Sequence, residues 1–156
     1  MPFQPMPDPQ QPKRSGYTFL EVTIVVVVLG VMTSLVLPRV SDASRSLRVV
    51  HAANVVASDL ELAGALAAQH RTPLELRMDP SRPAYSVVTR DSGRVVMSRT
   101  LGVDSEWRLQ SVVATPKAVT IFPGGIWSSS VRIVLTEPGH NRTVTVTRAG
   151  LVRVLP

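Results

Sequence analysis

The chain has 156 residues, 44% of them hydrophobic and 18% charged, with a formal net charge of +6 and no cysteine. This length accommodates one modest domain and an appended helix. Without cysteine, the sequence excludes a thiol enzyme, an iron–sulfur protein and a cysteine-ligated zinc site. The basic charge is compatible with contacts to nucleic acid or anionic lipid, and equally with a solvated surface.

The first segment, residues 1–16, contains five prolines and three glutamines. This composition cannot bury a core and predicts an extended or disordered segment. The segment contains the basic pair Lys13-Arg14, just before a long apolar stretch. Positive charge beside a first membrane span keeps that end in the cytoplasm, so we expect the C-terminal domain to face outward.

The second segment, residues 17–37, is apolar and about as long as the roughly 20 residues that cross a bilayer. From Val22 onward its polar side chains are hydroxyls, which a helix in lipid satisfies against its own carbonyls. These are Thr23, Thr33 and Ser34. We therefore predict a membrane-spanning helix. Glu21 interrupts it near its start, and an unpaired carboxylate in lipid is costly enough that such residues usually mark function.

In the third segment, residues 38–70, apolar residues recur at helical spacing between charged ones. This pattern predicts an amphipathic helix that continues the membrane span and lies with one face on a domain. Pro38 is expected to bend the helix, because it removes a backbone donor and clashes with the preceding turn. The predicted apolar face comprises Val40, Ala43, Leu47, Val50, Ala53, Asn54, Ala57, Leu60, Gly64 and Ala67.

The fourth segment, residues 71–156, consists of short β-rich runs separated by turn residues, which is typical of an antiparallel sheet. Asp91-Ser92-Gly93 is a hairpin signal. The predicted strands are Leu74–Met78, Ala84–Thr89, Val95–Arg99, Trp107–Val113, Ala118–Phe122, Val131–Thr136, Arg142–Arg148 and Leu151–Leu155. The sequence therefore predicts an α+β fold, in which a long N-terminal helix, transmembrane and then amphipathic, packs on a C-terminal antiparallel β-sheet domain.

The stretch Gly16-Tyr17-Thr18-Phe19-Leu20-Glu21-Val22 resembles the cleavage and methylation motif of type IV prepilins and type II secretion pseudopilins. The resemblance implies cleavage between Gly16 and Tyr17 by prepilin peptidase and N-methylation of Tyr17. It implies that residues 1–16 form a leader peptide and that Glu21, Gly30 and Pro38 serve assembly. Tyr17 departs from the family, in which phenylalanine is usual at this position.

The closing segment, from Ile121-Phe122-Pro123-Gly124-Gly125 to Val152-Arg153-Val154, is similar to that of the GspH/FimT family of minor pseudopilins. This resemblance implies a pilin-like fold and a minor pseudopilin of a type II secretion system, placed near the tip of the periplasmic pseudopilus for protein secretion. The implied partners are prepilin peptidase, other major and minor pseudopilins, the inner-membrane assembly platform and membrane lipid. The implied location is the bacterial inner membrane, single-pass, with a cytoplasmic N-terminus and a periplasmic domain.

An alternative within the same family is a FimT-like minor type IV pilin that binds DNA during natural transformation. Such subunits use a Gly-Arg-x-Arg motif, and this chain has Gly150-Leu151-Val152-Arg153, without the first arginine. Arg142, Arg148 and Arg153 are the candidate phosphate contacts near the last hairpin. The opposing interpretation is that Arg142 and Arg148 lie in phase with two strand valines and extend past the sheet edges into water.

A third alternative is a bitopic membrane protein or a secreted protein of unrelated function. Ser41-Asp42-Ala43 offers a small-x-small signal-peptidase site. Glu21 argues against this alternative, since neither a plain anchor nor a signal sequence requires a carboxylate there.

An enzyme is not predicted, because the sequence has no nucleophile elbow, phosphate-binding loop or dinucleotide fingerprint. His51, His70 and His140 are scattered, so no metal site and no cofactor are expected. Trp107 and Trp127 are expected to be core residues, whereas an exposed Trp127 would mark a partner contact.

Overall fold

The computed structural model describes residues 16–156, except for the side chains of residues 35–38. Residues 1–15, which hold most of the predicted leader, lie outside the described part. The chain divides into two compact units, one ending at Arg39 and the other comprising Val40–Pro156. The elements are α1 (Phe19–His70), β1 (Leu74–Met78), β2 (Ala84–Thr89), β3 (Val95–Thr100), β4 (Ser111–Thr115), β5 (Ala118–Ile121), β6 (Val131–Glu137), β7 (His140–Val146) and β8 (Val152–Leu155).

The strands form two four-stranded antiparallel sheets. The first sheet has the order β3-β2-β1-β5, and the second has the order β4-β6-β7-β8. The predicted hairpin at Asp91-Ser92-Gly93 joins β2 to β3, and Gly93 adopts a φ of 67°. In the second sheet β6, β7 and β8 are consecutive hairpin-connected strands, so their relative register is fixed locally.

The second part of α1 supplies one wall of the core. Its buried side chains recur every three or four residues, and many are alanines, which allow the helix backbone to approach the sheets closely. They are Val49, Ala52, Ala53, Val56, Leu60, Ala63 and Ala67. The facing side chains include Leu74, Leu76, Tyr85, Val87, Ile121, Trp127, Ile133, Leu135, Val144 and Val146. A long helix packed on antiparallel sheets is thus the observed α+β fold, as the sequence predicts.

The predicted apolar face of α1 is correct near its end and wrong near Val40. Leu60 and Ala67 are buried, but Val40 and Leu47 are 57% and 59% exposed. Val49, which the prediction omitted, is fully buried. The face was misplaced because alanine, valine and leucine occur on several sides of this helix, so periodicity alone does not select one.

A buried polar cluster joins α1 to the first sheet. Tyr85 donates a hydrogen bond of 2.5 Å from its hydroxyl to the Asp59 carboxylate, and Arg99 contacts both oxygens of that carboxylate, with Nη2 at 2.9 Å from Oδ1. Asp59 is 6% exposed. Burial, and then the hydrogen bond and charge of Asp59, raise the pKa of the Tyr85 hydroxyl well above its usual range. The cluster therefore fixes the rotation of α1 against β2 and β3.

Two further pairs join α1 to the tip of the β6–β7 hairpin. Arg48 Nη2 lies 3.0 Å from Glu137 Oε1, and the Glu137 side chain is 8% exposed. Asp42 Oδ1 lies 3.0 Å from His140 Nε2. These two contacts attach α1 to the β6–β7 end of the second sheet, while the Asp59 contacts attach it to the first sheet.

Most predicted strands agree with the structure within one residue at each end, with two exceptions. Trp107–Val113 is wrong, because β4 begins only at Ser111 and the preceding residues form turns, with Arg108 at a φ of 50°. Arg142–Arg148 is shifted, because β7 begins at His140 directly after the Gly139 turn and ends before Thr147. The Gly150 N–H donates to the Thr147 carbonyl, so Thr147 and Arg148 belong to the next turn.

Candidate assembly site

The predicted processing site lies directly before the first turn of α1. Gly16 and Tyr17 are exposed and not helical, and the Tyr17 side chain is 83% exposed. A Cβ added to Gly16 would meet no atom within 4 Å. The peptide bond between them is therefore in accessible backbone, and the absence of a side chain on Gly16 leaves room for a protease to approach it.

Thr18 caps the helix that follows. Its hydroxyl oxygen accepts a hydrogen bond of 3.2 Å from the Glu21 N–H, and its carbonyl accepts one of 3.2 Å from the Val22 N–H. Thr18 is thus the N-cap and Glu21 the third helical residue, which is the spacing of a capping box. The positive end of the helix dipole also favours a carboxylate there. This local role of Glu21 was not among the predictions from sequence, although the Thr-x-x-Glu spacing signals it.

The large side chains of the apolar segment after the cap are exposed in the described part of the chain. From Val22 to Met32 its large apolar side chains are 48–61% exposed. The hydroxyls of Thr23 and Thr33 donate to the carbonyls of Phe19 and Leu29, four residues back, and Ser34 donates to Val31. The hydroxyls are therefore satisfied internally, as predicted, and α1 is long and apolar enough to cross a membrane.

Two other predicted assembly residues lie further along α1. Among the residues that the structure describes, none lies within 4 Å of a Cβ added to Gly30, so no close approach there accounts for the glycine. The side chain of Pro38 lies outside the described residues, although its backbone belongs to α1. The assembly roles of both therefore remain predictions.

The three predicted arginines are not brought into one cluster. Arg142 is half-buried near the start of β7, with Nη1 3.1 Å from the Asn141 carbonyl oxygen. From Arg142 to Val146 the strand spans about 13 Å, and exposed Arg148 lies beyond it in the β7–β8 turn. Arg153 is exposed on β8, opposite Thr145. Arg148 is therefore distant from Arg142 along the strand, and Arg153 is on the other face, because Arg142 is in phase with the buried Val144 and Val146 whereas Arg153 pairs with the outward-facing Thr145.

A fourth arginine, which sequence analysis missed, shares a face with Arg153. The register places Thr115, Arg132, Thr145 and Arg153 in one row across all four strands of the second sheet. Arg132 and Arg153 are exposed on the outer face, since Val131 and Ile133 beside Arg132 are buried. With strands about 4.8 Å apart, the two arginines bracket Thr145 at about 10 Å from each other. Only the strand pairing reveals this row, since the two are 21 residues apart.

Gly150, the glycine of the Gly-x-x-Arg sequence, has a structural explanation. It adopts a φ of 81°, and an added Cβ would lie 2.6 Å from the Gly125 carbonyl oxygen. Both features require glycine. The spacing from Gly150 to Arg153 therefore carries no information on a ligand by itself.

The remaining candidates behave as packing or surface residues. Trp127 is 1% exposed and belongs to the core. Trp107 is partly buried and packs against the core. His51 and His70 are exposed, while His140 lies beside Asp42. Among residues 16–156, no group of three or more His, Cys, Asp or Glu side chains is arranged to hold a metal ion.

Solved structures with the same fold are minor subunits of pili and pseudopili. The type IV minor pilin FimU of Pseudomonas aeruginosa aligns with a TM-score of 0.57 and 15% identity, covering 69% of this chain and 88% of that one. The minor pseudopilin EpsH of the Vibrio cholerae Type 2 Secretion System aligns with a TM-score of 0.54 and 17% identity, covering 69% and 96%. At these identities the likeness shows a shared fold. None of the curated proteins compared matches the chain.

The sequence itself matches a family model over most of the globular part. The match extends over residues 52–150, from the buried face of α1 to the glycine of the last turn. It thus covers more than half of the chain and nearly all the strands described above. The chain belongs to the family of type II transport protein GspH.

Proposed function

We propose that this chain is a minor pseudopilin of a type II secretion system, cleaved after Gly16 by prepilin peptidase, methylated at Tyr17 and incorporated near the tip of the periplasmic pseudopilus. The observation that supports this most is the accessible Gly16–Tyr17 bond, directly before a capped apolar helix with a carboxylate at its third residue. EpsH, a minor pseudopilin of a type 2 secretion system, has the same fold.

In this proposal the chain has four functional segments. Residues 1–16 are a leader, 17–37 a membrane and filament-core helix, 38–70 its continuation, and 71–156 the periplasmic β-domain. Lys13 and Arg14 keep the N-terminus in the cytoplasm before cleavage. The exposed apolar surface from Val22 to Met32 is buried first by lipid and then by the helices of other pseudopilins.

Cleavage also gives Glu21 a charged partner. It leaves a cationic amine on Tyr17, which the proposal pairs with Glu21 of the neighbouring subunit in the filament. Pairing offsets the cost of burying each charge and fixes the axial register of the subunits. The inner-membrane assembly platform is the proposed partner at which this transfer from lipid to filament occurs.

The test is the mass of the mature N-terminus, with and without prepilin peptidase. The expected product begins at N-methyl-Tyr17 only when the peptidase is present. Gly16→Val is the matched variant, which places a branched side chain beside the scissile bond and should leave the leader attached. A chain that keeps Met1 in the presence of the peptidase, or one that begins at Ser44, would contradict the proposal.

A second candidate function is DNA binding by a minor type IV pilin, and the row of Arg132, Thr145 and Arg153 favours it. Arginine and hydroxyl side chains are the usual contacts to phosphate oxygens. The test is a mobility-shift titration of the full chain in detergent with double-stranded DNA at several salt concentrations. Arg132→Ala/Arg153→Ala should reduce the logarithmic salt slope by about 2, whereas Arg142→Ala leaves it unchanged. No shift of wild type at low salt would reject this function.

A further inference from the structure

Two turns meet at one end of the second sheet and are hydrogen-bonded into a single unit. In the first turn, the Phe122 N–H donates to the Ile126 carbonyl at 2.8 Å. In the second, the Thr147 N–H donates to the Leu151 carbonyl at 3.0 Å. The Trp127 N–H donates to the Arg148 carbonyl at 2.8 Å, which joins the turns.

Close packing against the core holds this pair of turns in a fixed shape. Gly150 packs against the Gly125 carbonyl with no space for a Cβ, and the Trp127 indole beside it is fully buried. Thr147 Oγ1 also accepts a hydrogen bond of 3.2 Å from the Leu151 N–H. The side chains on this unit are therefore presented in a fixed arrangement before any partner binds, which lowers the entropy cost of binding.

Three large apolar side chains are displayed on these turns. Phe122 is 38% exposed, Ile126 54% and Leu151 50%. Single exposed apolar residues are ordinary, but turns are normally polar, and an apolar group on rigid turns marks an interaction surface. We call Phe122, Ile126 and Leu151, with Arg148 beside them, the apolar platform.

The exposed charge on the turns of the apolar platform is positive. Glu137 lies opposite His140 at the other end of the second sheet, so it is not part of this surface. Glu75, which lies opposite Thr120 on the neighbouring strand, is paired with Arg77 at 2.8 Å. Arg148 and Arg153 stand exposed on the turn and on the adjoining strand. A partner that covers the platform must therefore be apolar at its centre and acidic around it.

We propose that the apolar platform is the surface by which this subunit docks onto a neighbouring, different pilin-like subunit, whose contacting face is apolar with an acidic rim. This inference rests on the proposed function. The three apolar side chains favour a protein over nucleic acid, because phosphates require donors and not aliphatic groups. A second copy of this chain is disfavoured as occupant, because it presents the same basic rim and the two would repel.

The test is site-specific photo-crosslinking in the bacterium that produces the protein. A photoreactive amino acid replaces Ile126 or Leu151 in the full chain, and Val95 on β3, which is 58% exposed, is the matched control. Positions 126 and 151 should each yield an adduct with another protein that carries a prepilin-type N-terminus, and position 95 should not. Adducts with DNA, with a second copy of this chain or with the same proteins from all three positions would overturn the proposal, as would no adduct.

Charge reversal adds an independent measure of the same contact. Arg148→Glu should lower the adduct yield from position 126 by about tenfold, since like charges would then face each other across the interface. Arg94→Glu, an exposed arginine in the β2–β3 hairpin, is the control and should leave the yield unchanged. An unchanged yield in Arg148→Glu rejects the acidic rim.

Failure of this inference can be separated from failure of the proposed function. The same samples are assayed for cleavage at Gly16 and for the presence of the chain in the filament fraction. A processed chain that enters filaments without crosslinks at 126 or 151 overturns the platform alone. An unprocessed chain that is absent from filaments overturns the proposed function.

Discussion

Gly150 and Gly125 approach so closely that a Cβ on Gly150 would lie 2.6 Å from the Gly125 carbonyl oxygen. This contact joins the β7–β8 turn to the turn before Trp127 and covers the Trp127 indole. The last hairpin thus depends on a glycine that the sequence presents as part of a binding motif.

Gly150→Ala should therefore destabilise the domain by about 3 kcal/mol. A left-handed backbone costs a residue with a side chain about 1–3 kcal/mol, and the backbone clash adds to it. Gly124→Ala is the control, because Gly124 has no positive φ and no atom within 4 Å of an added Cβ. Urea unfolding of the full chain in detergent, followed by tryptophan fluorescence, measures both. Equal midpoints for the two variants would contradict the prediction.

Substitutions of Glu21 separate its charge from its capping role. Glu21→Gln keeps the capping-box pattern with Thr18 but removes the charge, and Glu21→Ala removes both. We expect both variants to be cleaved normally and to be missing from filaments, since neither carries a charge for the neighbour's amine. Pull-down of the assembled pseudopilus measures incorporation.

The control for this prediction is Thr18→Ala, which loses about 1 kcal/mol of capping but keeps the carboxylate. It should still enter filaments. Normal incorporation of Glu21→Gln would show that helix capping, and not charge pairing, accounts for the glutamate.

Leu47 and Leu60 test which face of α1 packs on the sheets. The sequence pattern assigns both to the apolar face, but Leu47 is 59% exposed and Leu60 is 1% exposed. Leu60→Ala should lower the free energy of unfolding by about 2–5 kcal/mol, because apolar burial is lost and a cavity is left behind. Leu47→Ala should stay within about 0.5 kcal/mol of wild type. If the same urea titration gave similar losses of unfolding free energy for the two variants, the face predicted from sequence would be the correct one.

The Asp59–Tyr85 contact predicts a loss of stability in alkali. The pKa of Tyr85 is raised in the folded state, so its contribution is fully present below about pH 10, where an unfolded tyrosine titrates. Above that pH the unfolded state releases a proton that the folded state keeps, and stability falls by up to about 1.4 kcal/mol per pH unit. Between pH 10 and 11, Tyr85→Phe should lack this contribution to the fall of the unfolding free energy with pH. Parallel slopes for the two proteins would contradict the assignment.

Tyr85→Phe should also be less stable than wild type at neutral pH. The buried Asp59 carboxylate loses one donor, at a cost of about 1–3 kcal/mol. Arg99 keeps its own contacts to both carboxylate oxygens, so the variant should still fold.

Patterns within short stretches of sequence correctly predicted those structural features that depend only on residues adjacent in the chain. The apolar run predicted the membrane-length helix, the turn residues around Asp91-Ser92-Gly93 predicted the first hairpin, and the bounds of β1 and β2 agree with the prediction. The prepilin-like motif is likewise a contiguous stretch, and the family match at residues 52–150 agrees with the resemblance of the closing segment.

The sequence alone therefore determined the element types, the fold class and the candidate processing site, because backbone preference and hydrophobic periodicity act over a few residues. Only the tertiary structure decided which side of α1 is buried, that Arg132 rather than Arg142 shares a row with Arg153, and that Gly150 is required by Gly125. Those relationships join residues far apart in sequence through packing and strand register, and no local pattern specifies either.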